Sequence, residues 1–418
     1  MTDASQYAVP HELIARYDRP GPRYTSYPTA PEWGEVTAAD ARAALERVAA
    51  DPRPVSLYFH LPFCEHMCLF CGCHVVVARN HTKIPRYLEA IAREIALVRE
   101  IVGPKKVVQL HFGGGTPTFL SPDQLRHLGE QIWQAFSPTD DAELSVEVDP
   151  VVTRREHFEA LRSVGFNRVS MGVQDFDDEI QRRTERIQPE SLTCELFGTA
   201  RALGFTSINL DLMYGLPGQT SAHLVRSAKR VVELGADRIA LFGYAHVPWM
   251  KPHQKKLETY GIPEAPERWE MFNAARVTLL EAGYQAIGFD HFARPEDELA
   301  RAGQKRRLNR NFQGYTVLEP THVLALGLSA IADAGGSYLQ NAKKLADYYA
   351  AIEAGELPVE KGMRLSAEDH LRRRVITDLM CNLYVDFDAI DERFGIAFEE
   401  HFAGALAQMA PLVADGLV

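Results

Sequence analysis

The sequence predicts an α/β fold: a parallel sheet of about six strand–helix units, forming a curved sheet or an incomplete barrel, followed by a smaller helical domain. Two observations predict it. Between about residues 55 and 290, short β-rich runs alternate with stretches whose apolar residues recur three and four apart. The residues that carry chemistry fall just after those runs, where parallel strands turn their C-terminal ends to one face. Strand–helix alternation implies parallel pairing through right-handed crossovers.

The expected strands are 56–60, 107–112, 144–148, 168–171, 208–212 and 238–242, with helices at 86–102, 122–136, 154–164, 189–203 and 222–234. A cysteine-rich loop follows the first strand and Gly113-Gly114-Gly115-Thr116-Pro117 the second. Glu147 and Asp149-Pro150 end the third, and Gln174-Asp175 follows the fourth. Asp211 ends the fifth, and Tyr244-Ala245-His246 follows the sixth. Convergence of all six loops on one face is a stronger signal than any single motif. After residue 290 the pattern changes to a connecting region, 291–340. From about Asn341 the chain reads as mostly helical, with apolar spacing at Phe398, Phe402, Leu406 and Met409. Gly416 reads as a helix stop and Leu417-Val418 opens an apolar run, a pattern expected of a truncated end.

The cysteine loop is the most specific feature. Cys64-x-x-x-Cys68-x-x-Cys71-x-Cys73 places four thiols within ten residues. The first three have the spacing that holds a 4Fe–4S cluster by three thiolates and leaves one iron open, which is a site for chemistry rather than electron carriage alone. Zinc is the competing reading, but structural zinc usually takes two separated cysteine pairs, and no distant second pair exists. A disulfide framework does not suit a large chain with six cysteines and no secretory signal. Cys194 and Cys381 stand alone in apolar helical contexts and read as buried small hydrophobes.

The chain has 418 residues, 46% hydrophobic and 24% charged, enough for a large core and a second domain. No apolar run approaches the ~20 residues of a membrane span. Reduced thiols and a polar N-terminus lead to an expectation of the cytoplasm. A net charge of −11 without a long basic run argues against a nucleic-acid partner.

An open iron can chelate an amine and a carboxylate, and S-adenosylmethionine offers both. A triple glycine beside a cysteine loop suits close approach of that amino-acid end, although a glycine run alone also serves a plain tight turn. Glu147 and Asp211 could accept ribose hydroxyls or a sulfonium, with helix N-capping as the plainer role for Asp211.

The run Tyr58-Phe59-His60-Leu61-Pro62-Phe63-Cys64, with Cys68, Phe70 and Cys71, resembles the radical S-adenosylmethionine enzymes. Further motifs are similar to the oxygen-independent coproporphyrinogen III oxidases: residues 23–29, Cys71-Gly72-Cys73, 113–118, 146–150, 170–176, 211–217, 244–246, 290–295 and 311–316. The resemblance covers the chain from residue 20 onward. It implies a three-quarter (β/α)6 barrel over 55–290, a substrate-covering extension over 1–54, cofactor contacts within 291–340 and a C-terminal helical domain over 341–418. It implies a monomer that makes protoporphyrinogen IX, fed with electrons by a small protein such as flavodoxin or ferredoxin. By matching motif positions, Cys64, Cys68 and Cys71 would bind the cluster. One S-adenosylmethionine would meet Tyr58, Gly114, Glu147 and Ile331. A second would meet Phe70, Gly115, Thr116, Gln174, Arg186, Asp211 and Ala245. Cys73 would matter for activity without binding the cluster.

The mechanism the resemblance implies is one-electron cleavage of S-adenosylmethionine to methionine and a deoxyadenosyl radical. The radical takes a hydrogen from a propionate β-carbon, and loss of carbon dioxide and one electron leaves a vinyl group. Two of four propionates react. Four carboxylates call for cations; Arg23, Arg294 and Arg310 are the candidates, with surface ion pairing as the alternative for each. Tyr24 and Tyr27 could cover the macrocycle or simply pack. A haem-binding chaperone or a haem-modifying radical enzyme would keep the same barrel. The extended segment 23–29, Phe70, Cys73 and 311–316 favour the oxidase.

Overall fold

The computed structural model describes residues 9–19, 21, 24–319 and 322–418. The six expected strands are present: β1 (Val55–Leu61), β2 (Lys106–Gly114), β3 (Ser137–Val148), β4 (Arg168–Gln174), β5 (Ser207–Tyr214) and β6 (Arg238–Gly243). They pair in parallel in that order. The strands alternate, as β4 shows: Val169, Met171 and Val173 are buried towards the helices, whereas Arg168, Ser170, Gly172 and Gln174 are only half-buried. The second set faces the sheet's concavity and carries the polar residues.

Helices cover the other face. The helix Ile84–Val102 buries Ile84, Tyr87, Ile91, Ile95 and Val98, spaced three and four apart, and stops at Gly103, whose φ is 70°. The helix Pro122–Ala135 opens with a capping box in which Ser121 and Gln124 satisfy each other's backbone N–H groups.

The sheet extends well beyond six strands. β7 (Val323–Leu326) lies parallel to the free side of β1, with Ala325 opposite Tyr58. β8 (Ile331–Ala334), β9 (Ser337–Asn341) and β10 (Val359–Arg364) continue antiparallel, and Gly34–Glu35 pairs with β10 at that edge. At the other edge, His291–Ala293 runs antiparallel to β6 and pairs on its far side with Gln285–Ile287. Among the described residues the result is one open mixed sheet of 13 strands rather than a closed barrel. Beyond Asn341 the chain thus still contributes a strand. The helices that stand apart from the sheet begin at Ala367 and pack about Leu371, Val375, Ile390 and Phe398.

A buried carboxylate ties the late strands to the early helix. Glu94 accepts hydrogen bonds from the Gly327 N–H (2.8 Å), the Tyr348 hydroxyl (2.6 Å) and the Asn341 amide (2.7 Å). Burial pushes its carboxyl up to about 7 against the pull of those donors. No helix among the described residues is long and apolar enough to cross a membrane. Replacing Glu94 with Ala strands three buried donors, a loss of about 3 kcal/mol or more. Thermal unfolding should show a clearly lower Tm for Glu94→Ala than for a surface control such as Glu399→Ala. Equal Tm values would remove Glu94 from the structural framework.

Candidate active site

The cysteine loop is held from several directions. Its base is strand-like: the Val76 N–H donates to the Pro62 carbonyl and the Ala78 N–H to the Cys64 carbonyl. The Thr116 hydroxyl lies 3.3 Å from the Cys64 sulfur. A clamp from residues 247–260 seals the outer side, where three side chains donate to loop carbonyls: Lys251 Nζ to Cys73 (2.7 Å), His253 Nε2 to Cys71 (2.9 Å) and Gln254 Nε2 to Phe70 (3.1 Å). Gln254 also donates to the Ala245 carbonyl at 3.2 Å, fixing Phe70 and Ala245 as neighbours.

Arg186 joins this loop to the sheet. Its guanidinium forms a two-pronged pair with Asp149 (3.1 Å on each prong), donates to the Gly172 carbonyl (2.9 Å) and reaches the Cys68 sulfur at 3.6 Å. Cys64, Cys68, Cys71 and Cys73 line a cavity of about 260 Å3 together with Phe70, Gly114, Gly115, Thr116, Glu147, Gln174, Arg186 and Asp211. Most of the expected cofactor residues thus meet in one place. Tyr58, Ala245 and Ile331 do not line it. Tyr58 stands beside it through His111, Ala245 through Gln254, and Ile331 lies on β8 against the cluster of Trp33, Tyr338 and Leu365.

The glycine run also has a packing cause. A Cβ on Gly115 would meet the Pro62 carbonyl oxygen at 2.5 Å, and one on Gly114, whose φ is 115°, would meet the His60 ring at 2.8 Å. The N–H groups are also engaged internally: Gly114 donates to Glu147, Gly115 to Leu61 and Thr116 to Phe63. The glycines let β2 pass close to the cysteine loop, and their N–H groups are not offered to a ligand.

Two histidines were not singled out by sequence. His60 Nε2 donates to the His74 carbonyl (2.9 Å), so Nδ1 accepts from the Tyr58 hydroxyl (3.0 Å), and burial lowers this imidazole to about 4. His111 Nε2 donates to Glu147 (3.2 Å) and Nδ1 accepts from Ser145 (2.6 Å), while its ring stacks on Tyr58 with centroids 5.8 Å apart. Alternation could have found His111, which occupies an inward position of β2 two residues before the glycine run.

The donor set fits a thiolate-bound cluster with a polar ligand beside it. Burial raises the Cys64 thiol to about 12 and also raises Cys68, so thiolates there need a positive partner such as iron or Arg186. Cys71 is lowered to about 6, chiefly by its hydrogen bond with Cys73. No three His, Cys, Asp or Glu side chains among the described residues are close enough together to hold a single metal ion, and the thiols instead border a cavity. Gln174 Oε1 and Arg186 Nε are buried without a partner, and Gln174 holds a φ of 68°. Unpaired buried polar atoms in a cavity wall are the mark of a site completed by a ligand.

A second cavity of about 200 Å3 lies towards the starts of the strands, where Arg168, Ser207 and Arg238 line it, and shares Glu147, Ser170 and Asp211 with the first. Its cations, Arg168 and Arg238, are paired with Glu143, Asp297 and Glu298. Arg310 stands nearby, its guanidinium 4.9 Å from the Tyr315 ring centroid and its Nε buried without a partner. The structure does not bring Arg294 to either cavity. It comes after an antiparallel strand and therefore lies at the opposite end of β6, donating to the Ala236 carbonyl at 3.1 Å. Arg23 lies outside the described residues. Tyr24 and Tyr27, with ring centroids 6.2 Å apart, line neither cavity.

Burial and the neighbouring charge of Glu147 raise Asp211 to about 7, against hydrogen bonds from Asn209 (2.6 Å) and Ser170 (3.2 Å). A raised acid keeps its proton in the folded state after the unfolded chain has lost it. Its effect on stability is therefore a loss as pH climbs from the ordinary carboxylate range to about 7, and a plateau above. Thermal scans between about pH 5 and pH 8 should show a smaller loss of Tm in Asp211→Asn than in the parent. Identical slopes would refute the raised value.

A profile of the radical SAM superfamily matches residues 58–231, and one of the HemN C-terminal domain matches residues 365–418. The chain is 45% identical over 407 residues to the oxygen-independent coproporphyrinogen III oxidase of Salmonella typhimurium, covering 97% of this chain and 89% of that one. It is 43% identical, with the same coverage, to that of Escherichia coli strain K12. The solved structure of coproporphyrinogen III oxidase (HemN) from Escherichia coli, described as a radical SAM enzyme, superposes with a TM-score of 0.92 at 41% identity, over 97% of this chain and 92% of that one. The open sheet, the thiol-lined cavity and these full-length likenesses agree: the chain belongs to the oxygen-independent coproporphyrinogen III oxidases, a family of radical SAM enzymes.

Proposed function

We propose that this chain oxidatively decarboxylates two propionate side chains of coproporphyrinogen III to vinyl groups, giving protoporphyrinogen IX without oxygen. The observation that carries the reading is the single cavity shared by the three cysteine sulfurs and the polar ends of β2–β5. Cys64, Cys68 and Cys71 would hold a 4Fe–4S cluster. Tyr58, Gly114, Glu147 and Ile331 would face one S-adenosylmethionine, and Phe70, Gly115, Thr116, Gln174, Arg186, Asp211 and Ala245 a second. When bound, these groups supply one-electron cleavage of the sulfonium and a carbon radical able to take the propionate β-hydrogen.

The side chains supply position and charge. Arg186 offsets thiolate charge at Cys68 and is itself aimed by Asp149. Burial opposes ionisation of Glu147, but His111 and the Gly114 N–H outweigh it and hold this carboxylate below the usual range, a suitable neighbour for a sulfonium. Asp211, ionising near neutrality, can donate or accept towards a ribose hydroxyl. Gln174 Oε1 offers an acceptor to a ligand donor. Arg310 is the cation best placed for a substrate carboxylate, and the 1–54 extension would close over the substrate. Cys73 borders the cavity beside the cluster cysteines and would serve turnover rather than cluster binding. A small carrier such as flavodoxin or ferredoxin would supply electrons to a monomer in the cytoplasm.

The test is anaerobic reconstitution with iron and sulfide, then assay with coproporphyrinogen III, S-adenosylmethionine and dithionite. Protoporphyrinogen should form with about two S-adenosylmethionines cleaved per product. Cys73→Ser should keep its iron and visible absorbance and lose turnover, while Cys64→Ser should lose both. An assembled cluster that cleaves S-adenosylmethionine but never converts the porphyrinogen would overturn the reading.

A further inference from the structure

Two surface segments meet the cysteine loop from outside, and their exposed side chains are not used by the chemistry above. The first is 183–187. The Leu69 N–H donates to the Thr184 carbonyl, and Arg186 reaches Cys68, yet the next residue, Ile187, is 56% exposed. The second is 249–260, whose Lys251, His253 and Gln254 clamp the loop while Trp249 (75% exposed), Met250 (69%) and Tyr260 (50%) face outwards. The segments abut each other: Lys256 pairs with Glu185 at 3.5 Å and the Arg183 guanidinium lies 5.5 Å from the Tyr260 ring centroid.

The chemistry of this face is distinctive. Residues 249–260 hold three lysines and one acidic residue, Glu258, in a chain of net charge −11. Lys255 and Lys256 are exposed and Lys251 is turned inwards to Cys73. Large exposed aromatic and Met side chains beside lysines make an apolar centre with a cationic margin, the make-up of a docking patch whose charges steer an oppositely charged partner. The face also lies where electrons must arrive. From Ile187 the covalent chain reaches Arg186, which touches Cys68, and from Met250 it reaches Lys251, which is bonded to the Cys73 carbonyl. Electron tunnelling falls steeply with distance, so a carrier seated here has a short route to the thiolate-bound centre.

We propose that Trp249, Met250, Ile187, Lys255 and Lys256 form the docking surface for an acidic one-electron carrier protein. On each encounter the carrier loses one electron and the iron–sulfur centre gains it. The inference rests on the radical-enzyme reading above.

The test compares two reductants on the reconstituted full-length enzyme. One is dithionite, which needs no docking surface. The other is reduced flavodoxin, used as a representative acidic carrier. Lys255→Glu/Lys256→Glu and Trp249→Ala should each lower flavodoxin-driven cleavage of S-adenosylmethionine roughly tenfold, with a raised half-saturation concentration and a flattened salt dependence in the double charge variant. Dithionite-driven cleavage and iron content should stay at parent levels. Flavodoxin-driven rates unchanged in both variants would overturn the proposal. So would equal losses with both reductants, which would place the patch in the fold or the catalytic site. A change in oligomeric state with flavodoxin-driven cleavage intact would mark a self-interface and also overturn it. Failure of the parent enzyme with dithionite would instead sink the underlying radical-enzyme reading, and with it the docking proposal.

Discussion

One buried guanidinium joins the sheet to the loop that gives this protein its chemistry. Arg186 contacts the carboxylate after β3, a backbone carbonyl of β4 and the sulfur of Cys68. A buried cation is costly unless it is paired, and the partners of the two terminal nitrogens here come from three separate elements at once, with Nε alone left open. The geometry of the cavity depends on that constraint, because moving any one of the three unpairs a charge in a low-dielectric setting. The loop is therefore set by the strand ends and is not free to adopt its own conformation, while the clamp at 251–254 closes the remaining side.

The electrostatics of the cavity divide along the strands. Thiols and Arg186 line it at the strand ends, and Glu147 and Asp211 form the boundary with the second cavity. Two carboxylates across one small space cannot ionise with equal ease. The one with an imidazole donor and a backbone N–H, Glu147, takes the charge, and Asp211 holds its proton longer. Two similar residues at similar strand positions thus acquire different character from their neighbours alone.

The six parallel strands were legible because each is buried on its helix-facing side and ends in turn chemistry, and the cysteine spacing is specific by itself. β7–β10 were not, because strands of four to six residues between glycines carry too little periodicity to separate from loop. Strand direction also decides where one candidate arginine lies. Arg294 was a candidate by its charge alone, but His291–Ala293 is antiparallel to β6, so the residues after that strand lie at the far end. The glycine run has a second need that the sequence did not show, close passage against Pro62 and His60, which is a tertiary fact. The clamp was missed because side chains bonding to another segment's carbonyls leave no pattern in their own.

The strand before the cysteine loop has one further consequence. β1 has β2 on one side and β7 on the other, and β7 is translated far later than β1. A nascent chain therefore carries β1 with a bare edge through most of its synthesis, as an unpaired template beside four oxidisable thiols. Pairing of β7 closes that edge, and the Glu94 bonds to Gly327, Asn341 and Tyr348 draw the same late residues onto the early helix. On this topology the strand that leads into the cysteine loop is paired on both sides only after residue 326 has been made. A ribosome-bound intermediate that has displayed the cysteines has yet to build the strand that steadies them.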